Sequence, residues 1–453
     1  MKRKYIQRSN SETYFFILLS SFLSLLLVTA FSSLAIHLIA VWLLCVVAII
    51  VVNGDVLHPY CWFSVVLSLY STSYAILLAM GWNGNYSKEQ LLYPVIAISV
   101  ALLFIGPHCE TELKKKIKSN SYDNKNSDNE ICDFRFLDYF ITALSVVCLI
   151  LSFILLRSGY SGKSAMKQDN NISYRIGVYA VRYLVIFTII RVLNCLNINK
   201  KYGKHVVLTA ISTLCFSLFT GERDVFIRFV VVLFFLLYSS GKIKQKHFLL
   251  LVPLSMVLLT LSVQFKYFFL RGTINGSFSL DNLLEGFLSS DFSAAGRNLQ
   301  YLIDRPWTKG YFGYKMIVTE LFYPIIPGSF KTNPDYWFNY VVHSGGYHGN
   351  AFTLVGTGYI IAGIPGIVII FAIVGGLVKY LYIKASENIF YYSAYIYCIT
   401  IVMISIRGSL NSIVNCFVKE VLVCFILCKI LNDIFYRNKQ SSNYQRNRRQ
   451  YAK

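Results

Sequence analysis

Charged side chains are scarce in this chain, at 14% of residues against roughly 25% in an ordinary soluble domain. That shortage excludes a disordered chain and most water-soluble enzymes. The 11 cysteines include no C-x-x-C pair and none falls within residues 271–350, so neither a disulfide framework nor a zinc site is indicated. Cys45, Cys61, Cys148, Cys215, Cys398, Cys416, Cys424 and Cys428 lie instead in or beside apolar runs, where free thiols pack as small hydrophobes. The polar segment 108–136, with its KKKIKSNSYDNKNSDNE tract, lacks a glycine-rich loop that could cradle phosphates. Nucleotide-driven chemistry and a bound cofactor are therefore not expected. No fixed-period repeat is present either, which excludes solenoids and propellers.

What the chain has in abundance is apolar length. Hydrophobic residues make up 55% of it, and runs approaching the roughly 20 residues needed to cross a bilayer recur along the sequence. The pattern predicts an all-α, polytopic integral membrane protein with about 12 transmembrane helices. They fall at 14–31, 34–52, 61–80, 91–107, 137–156, 176–193, 205–220, 225–239, 248–270, 351–381, 390–407 and 413–434. MKRKYIQRSNSET and the run after it read as an uncleaved first helix, since no small-residue cleavage site is clear. Four segments follow: membrane helices over 1–270, one large external loop over 271–350, further helices over 351–434, and a basic tail over 435–453.

Lys and Arg outnumber Asp and Glu by 43 to 22, a net charge of +21. In a soluble protein such an excess would suggest nucleic acid; here it reports orientation. Lys2, Arg3, Lys4 and Arg8, then Lys114, Lys115 and Lys116, Lys200 and Lys201, and Arg446, Arg448 and Arg449 all fall on one side if both termini are cytoplasmic. The run 351–381 is too long for one straight helix and carries Gly358, Gly363, Pro365 and Gly366, so a break is expected near Gly363 to Gly366. Close helix packing is the other use for those glycines.

Ionisable residues inside a membrane are costly and count as functional candidates. Arg182, Arg228, Lys266, Arg407 and Lys419 fall in spans, all in the outer half of this topology, while Glu420 is the one plainly intramembrane acid. Such a set suits an anion better than a proton pathway. All but Arg182 lie within about six residues of a helix end, roughly 9 Å, where long side chains also snorkel to headgroups.

Three external pieces carry the remaining chemistry. FTGERDVFIRF is a short turn with Glu222, Arg223 and Asp224; SAAGRNLQYLIDRPWTKGYFGYK holds Arg297, Arg305 and Lys309; HSGGYHGNAFTLVGTGYIIAGIPG holds His343, His348 and Asn350. Between Arg297 and His348 lie Trp307, Tyr311, Trp337 and other aromatics, which suit either sugar rings or a membrane interface.

In order, spacing and side, these three pieces resemble the bacterial O-antigen polymerases of the O-antigen polymerase and ligase superfamily. The resemblance implies a GT-C-like membrane fold with its large loop in the periplasm, in the bacterial inner membrane. It implies polymerisation of undecaprenyl-diphosphate-linked oligosaccharide repeat units without metal or cofactor, with lipid-linked glycans as donor and acceptor and a chain-length regulator as a further partner. Arg223 and Arg297 would hold the diphosphate and His348 would act near the acceptor hydroxyl. Arg182, Arg271, Arg305, Asn350 and Trp307 complete the candidate substrate-binding set. Glu222, Asp224, Glu320 and Asp335 compete as the base. An O-antigen ligase, differing in its acceptor, and a lipid-linked oligosaccharide flippase are the alternatives.

Overall fold

The computed structural model describes residues 9–107, 136–158, 163–197, 201–245, 292–343, 352–432 and 434. Among the described residues every regular element is helical. The first nine helices are α1 (Asn10–Ala30), α2 (Leu34–Val51), α3 (Pro59–Ala79), α4 (Glu89–Ile105), α5 (Phe136–Arg157), α6 (Lys163–Gln168), α7 (Ile172–Asn197), α8 (Gly203–Thr220) and α9 (Arg223–Ser239). Then come α10 (Ser293–Ile303), α11 (Lys315–Leu321), α12 (Pro334–Trp337), α13 (Leu354–Ala362), α14 (Ile364–Lys384), α15 (Ile389–Ser405) and α16 (Leu410–Cys416). A π turn over Phe417–Leu422 continues α16 into a helix at 423–432.

Seven of these helices, α1, α2, α3, α5, α7, α8 and α14, are long and apolar enough to cross a membrane, and α4 and α15 are shorter apolar helices. The described residues are thus all-helical in their regular structure, and the chain is a membrane-embedded protein. The expected span at 248–270 lies outside the described residues, and that at 225–239 is the 17-residue α9. The expected run 351–381 is two helices, parted at Gly363, whose φ of 67° is a left-handed value that a side chain disfavours.

Local chemistry explains where helices start and stop. Ser9 and Glu12 form a reciprocal capping box at α1. His58 caps α3 ahead of Pro59, and Asn388 caps α15 by accepting from the Tyr391 N–H. Gly221, in the left-handed region, ends α8.

The chain forms two compact units. One comprises residues 1–115, 237–264 and 274–416. In it α1 and α2 form a hairpin, α4 packs on α14, and α13 folds back on α14. The last contact is glycine against glycine: a Cβ on Gly366 would lie 2.0 Å from the Gly358 carbonyl oxygen. Break and close packing therefore coexist. The nine residues of α13 reach about 13 Å at 1.5 Å per residue, too little to cross a bilayer. Leu354 to Ile361 are all buried, which shields their backbone from lipid.

The second unit comprises residues 116–236, 265–273 and 417–453. Its helices α5, α7 and α8 pack together. A buried polar staple joins them: Asp138 of α5 accepts from Arg191 Nε and Nη2 of α7 at 2.6 and 2.7 Å, and His205 Nε2 of α8 lies 2.8 Å from the same carboxylate. Charge-assisted bidentate pairing with the half-buried Asp138 is what lets the Arg191 guanidinium be buried.

Candidate functional site

In the first unit, α10 has one face fastened and the other open. Gly296 lets it approach α3 and α4 closely, since a Cβ there would meet Gln90 Nε2 at 2.8 Å and the Ser71 carbonyl oxygen at 3.2 Å. Gln300 accepts from the Ser87 N–H at 3.0 Å and donates to Asp304 at 2.7 Å. Arg297 stands exposed on the same helix.

One turn further on, Arg305 donates to the Tyr301 carbonyl oxygen at 3.2 Å, and its guanidinium lies 3.6 Å from the Tyr301 ring centroid. Tyr301 also stacks on His343 at 3.9 Å with planes 9° apart. A guanidinium, a phenol and an imidazole thus make one pile. Burial, then the charges of Arg305 and Arg297, hold His343 below the ordinary histidine range, so its ring is neutral at neutral pH.

Trp307 follows as part of a 3-10 turn. It packs edge-on against Trp337 at 6.1 Å, and Tyr311 lies 4.9 Å from the same ring. Trp337 is buried while Trp307 and Tyr311 are half-exposed. The turn is positioned by the helix break: the Gly310 and Phe312 N–H groups donate to the Tyr359 and Ile360 carbonyls, both at 3.1 Å. Both carbonyls lie in the last turn of α13, where helix geometry leaves acceptors open; that of Tyr359 also accepts from the Gly363 N–H at 2.9 Å. Lys309 packs over Gly363 at the same helix end, where a cation suits the dipole.

Glu320 of α11 is fully buried and accepts from the Asn411 backbone N–H at 2.7 Å and from its side-chain Nδ2 at 2.9 Å. Burial outweighs these bonds and pushes its carboxyl up to about 7. Asp335 is pushed up to about 6, again by burial, with the Arg407 charge acting against it.

In the second unit two arginines and two acids form a quartet. Arg182 of α7 contacts Glu420 at 2.6 Å and Asp224 at 3.3 Å; Arg228 contacts Asp224 at 3.1 Å and Glu420 at 3.5 Å. Asp224 and Arg228 are one turn apart on α9, and Glu420 is delivered by the π turn. Two cations meet two acids, so Arg182 sits in a charge-balanced cluster rather than among cations alone. Arg223, the first residue of α9, is half-exposed. Tyr174 donates to Glu222, and Lys167 lies 3.9 Å from the same carboxylate.

Arg297, Arg305 and Trp307 therefore belong to one unit and Arg182 and Arg223 to the other. Arg271, His348 and Asn350 lie outside the described residues. Of the competing bases, Asp224 is committed to two arginines, Glu222 to Tyr174 and Glu320 to Asn411. Sequence reading missed the pairing of Arg182 with Glu420, 238 positions away, although the i, i+4 spacing of Asp224 and Arg228 was a visible signal. In comparisons with family models, with curated proteins and with solved structures, nothing matches this chain.

Proposed function

We propose that this protein is a polysaccharide polymerase, a metal-independent glycosyltransferase that joins undecaprenyl-diphosphate-linked repeat units into O-antigen or a related surface polysaccharide. The observation that carries the reading is the open face of α10, where Arg297 and Arg305 stand beside the Tyr301–His343 stack and the half-exposed Trp307 and Tyr311. Guanidinium groups suit a departing diphosphate, and aromatic faces suit pyranose rings.

In the proposed reaction the acceptor hydroxyl oxygen attacks the anomeric carbon of the donor. The bond from that carbon to the diphosphate oxygen breaks, and undecaprenyl diphosphate leaves with the electron pair. The hydroxyl proton passes to a base. Arg297 and, through the sequence resemblance, Arg223 stabilise the leaving group. His348 takes the proton by the same resemblance; His343, neutral in the field of Arg297 and Arg305, is chemically suited to it as well. The protein sits in the bacterial inner membrane with both termini in the cytoplasm, about 12 spans in a GT-C-like arrangement, and residues 271–350 in the periplasm.

The test is chain-length analysis of surface glycan in cells carrying Arg297→Ala or Arg223→Ala. Long chains disappear from both variants while the protein still accumulates in the membrane. Unchanged ladders from both would remove the two arginines from the reaction. Repeat units left trapped on the cytoplasmic face after gene deletion would favour a flippase.

A further inference from the structure

The polarity of α11 is reversed. Its buried side holds Met316 and the carboxyl of Glu320, at 1% and 0% exposure. Its open side holds Tyr314, Val318, Phe322 and Ile325, at 56%, 56%, 54% and 78%. Positions i, i+4, i+8 and i+11 form a single stripe on a helix. α11 itself ends at Leu321, and the chain beyond it stays coiled in a turn, the Phe322 N–H donating to the Val318 carbonyl and the Ile326 N–H to that of Phe322. Phe330, at 70% exposure, extends the apolar surface beyond it.

A water-facing helix puts carboxylates outside and valine and phenylalanine inside. Here the carboxyl is turned in and given two hydrogen bonds from Asn411, which fixes α11 in the orientation that leaves the apolar stripe uncovered by this unit. Lys315 and Lys331 flank the stripe, and Lys331 Nζ lies 4.7 Å over the Tyr323 ring. Basic residues alternating with aromatic and aliphatic ones match the boundary between anionic headgroups and acyl chains. The same unit holds membrane-crossing helices with lipid-facing apolar surfaces, so that boundary is already part of its surroundings. A second copy of the chain is a poorer fit, because flanking lysines would meet lysines.

We propose that the stretch from Tyr314 to Phe330 is an interfacial element, lying in the plane of the bilayer with its apolar stripe among the upper acyl chains and its lysines on anionic headgroups. The inference goes beyond the proposed glycosyl transfer and stands without it.

Photo-crosslinking of the full chain tests it. The photoreactive residue p-benzoylphenylalanine replaces Val318, Phe322 or Ile325 one at a time, or Glu387, an exposed polar position in the same unit, as the comparison. Each protein is reconstituted in vesicles of phosphatidylethanolamine and phosphatidylglycerol, irradiated, and its adducts weighed by mass spectrometry. Lipid adducts are expected at 318, 322 and 325 and absent at 387. They should be lost at 318 when Phe322→Glu and Ile325→Glu are added. Adducts to a second copy of the chain, or none at all three positions, would overturn the proposal.

Discussion

Glu320 gives the clearest pH consequence of any single residue. Its folded carboxyl titrates near 7, above the ordinary value of 4.5, so the fold favours the proton-bound form. A group raised in this way contributes stability that is complete below its unfolded pKa and lost as pH rises through the folded one. Asp335, near 6, acts in the same direction. Thermal unfolding of the reconstituted protein should therefore shift to lower temperature as pH rises from about 4.5 to 7, and Glu320→Gln should flatten that slope. An equal slope in the variant would assign the dependence elsewhere. At the same scale, Arg297→Ala should slow elongation by a factor corresponding to about 3 kcal/mol, as loss of one preorganised donor does. Its exposed position on α10 predicts no matching loss of stability. Arg297 and Arg305 were legible as candidates because they fall in GRNLQYLIDRPWTKGYFGY, one of the three pieces that carry the sequence resemblance. Glu320 was named among the competing bases, but its burial was not legible, since nothing local in MIVTEL reveals that Asn411 will meet it.

At the scale of the element, two features govern stability. The α13–α14 hairpin depends on glycine contact, so Gly366→Ala must push the helices apart and should cost about 1–3 kcal/mol. Gly376→Ala, in the same helix with nothing within 4 Å of its added methyl, should instead stabilise by up to about 1 kcal/mol. Comparing the two in chemical unfolding separates packing from the general effect of replacing glycine. The quartet around the π turn behaves differently. Glu420→Ala removes a carboxylate that both Arg182 and Arg228 contact, and a broken buried pair typically costs about 3–5 kcal/mol. Adding Arg182→Met restores the charge balance and should recover much of the loss; no recovery would show that the pairing is not the source. The helix break was readable from Gly363 and Pro365, because backbone limits are local. The π turn and the quartet were not, because the quartet depends on residues brought together from α7, α9 and the π turn.

At the scale of the whole molecule, apolar length announced the architecture. The predicted span at 137–156 is α5, Phe136–Arg157, and that at 205–220 is α8, Gly203–Thr220, because an uninterrupted apolar run has few alternatives to helix in a bilayer. The expected total of about 12 spans stands against seven long apolar helices and two shorter ones among the described residues. The two compact units interleave along the sequence, an arrangement that hydropathy cannot report. The short helices α10, α11 and α12 carry too little apolar length to show up in such a reading, yet they position Arg297, Glu320 and Trp337.

The most direct test is to give the purified, reconstituted protein undecaprenyl-diphosphate-linked repeat units, with no metal and no nucleotide sugar, and to follow glycan length. Lengthened lipid-linked chains that are lost in the Arg297→Ala protein are the predicted result. Unextended repeat units from a folded wild-type protein, or equal extension by the variant, would contradict the account.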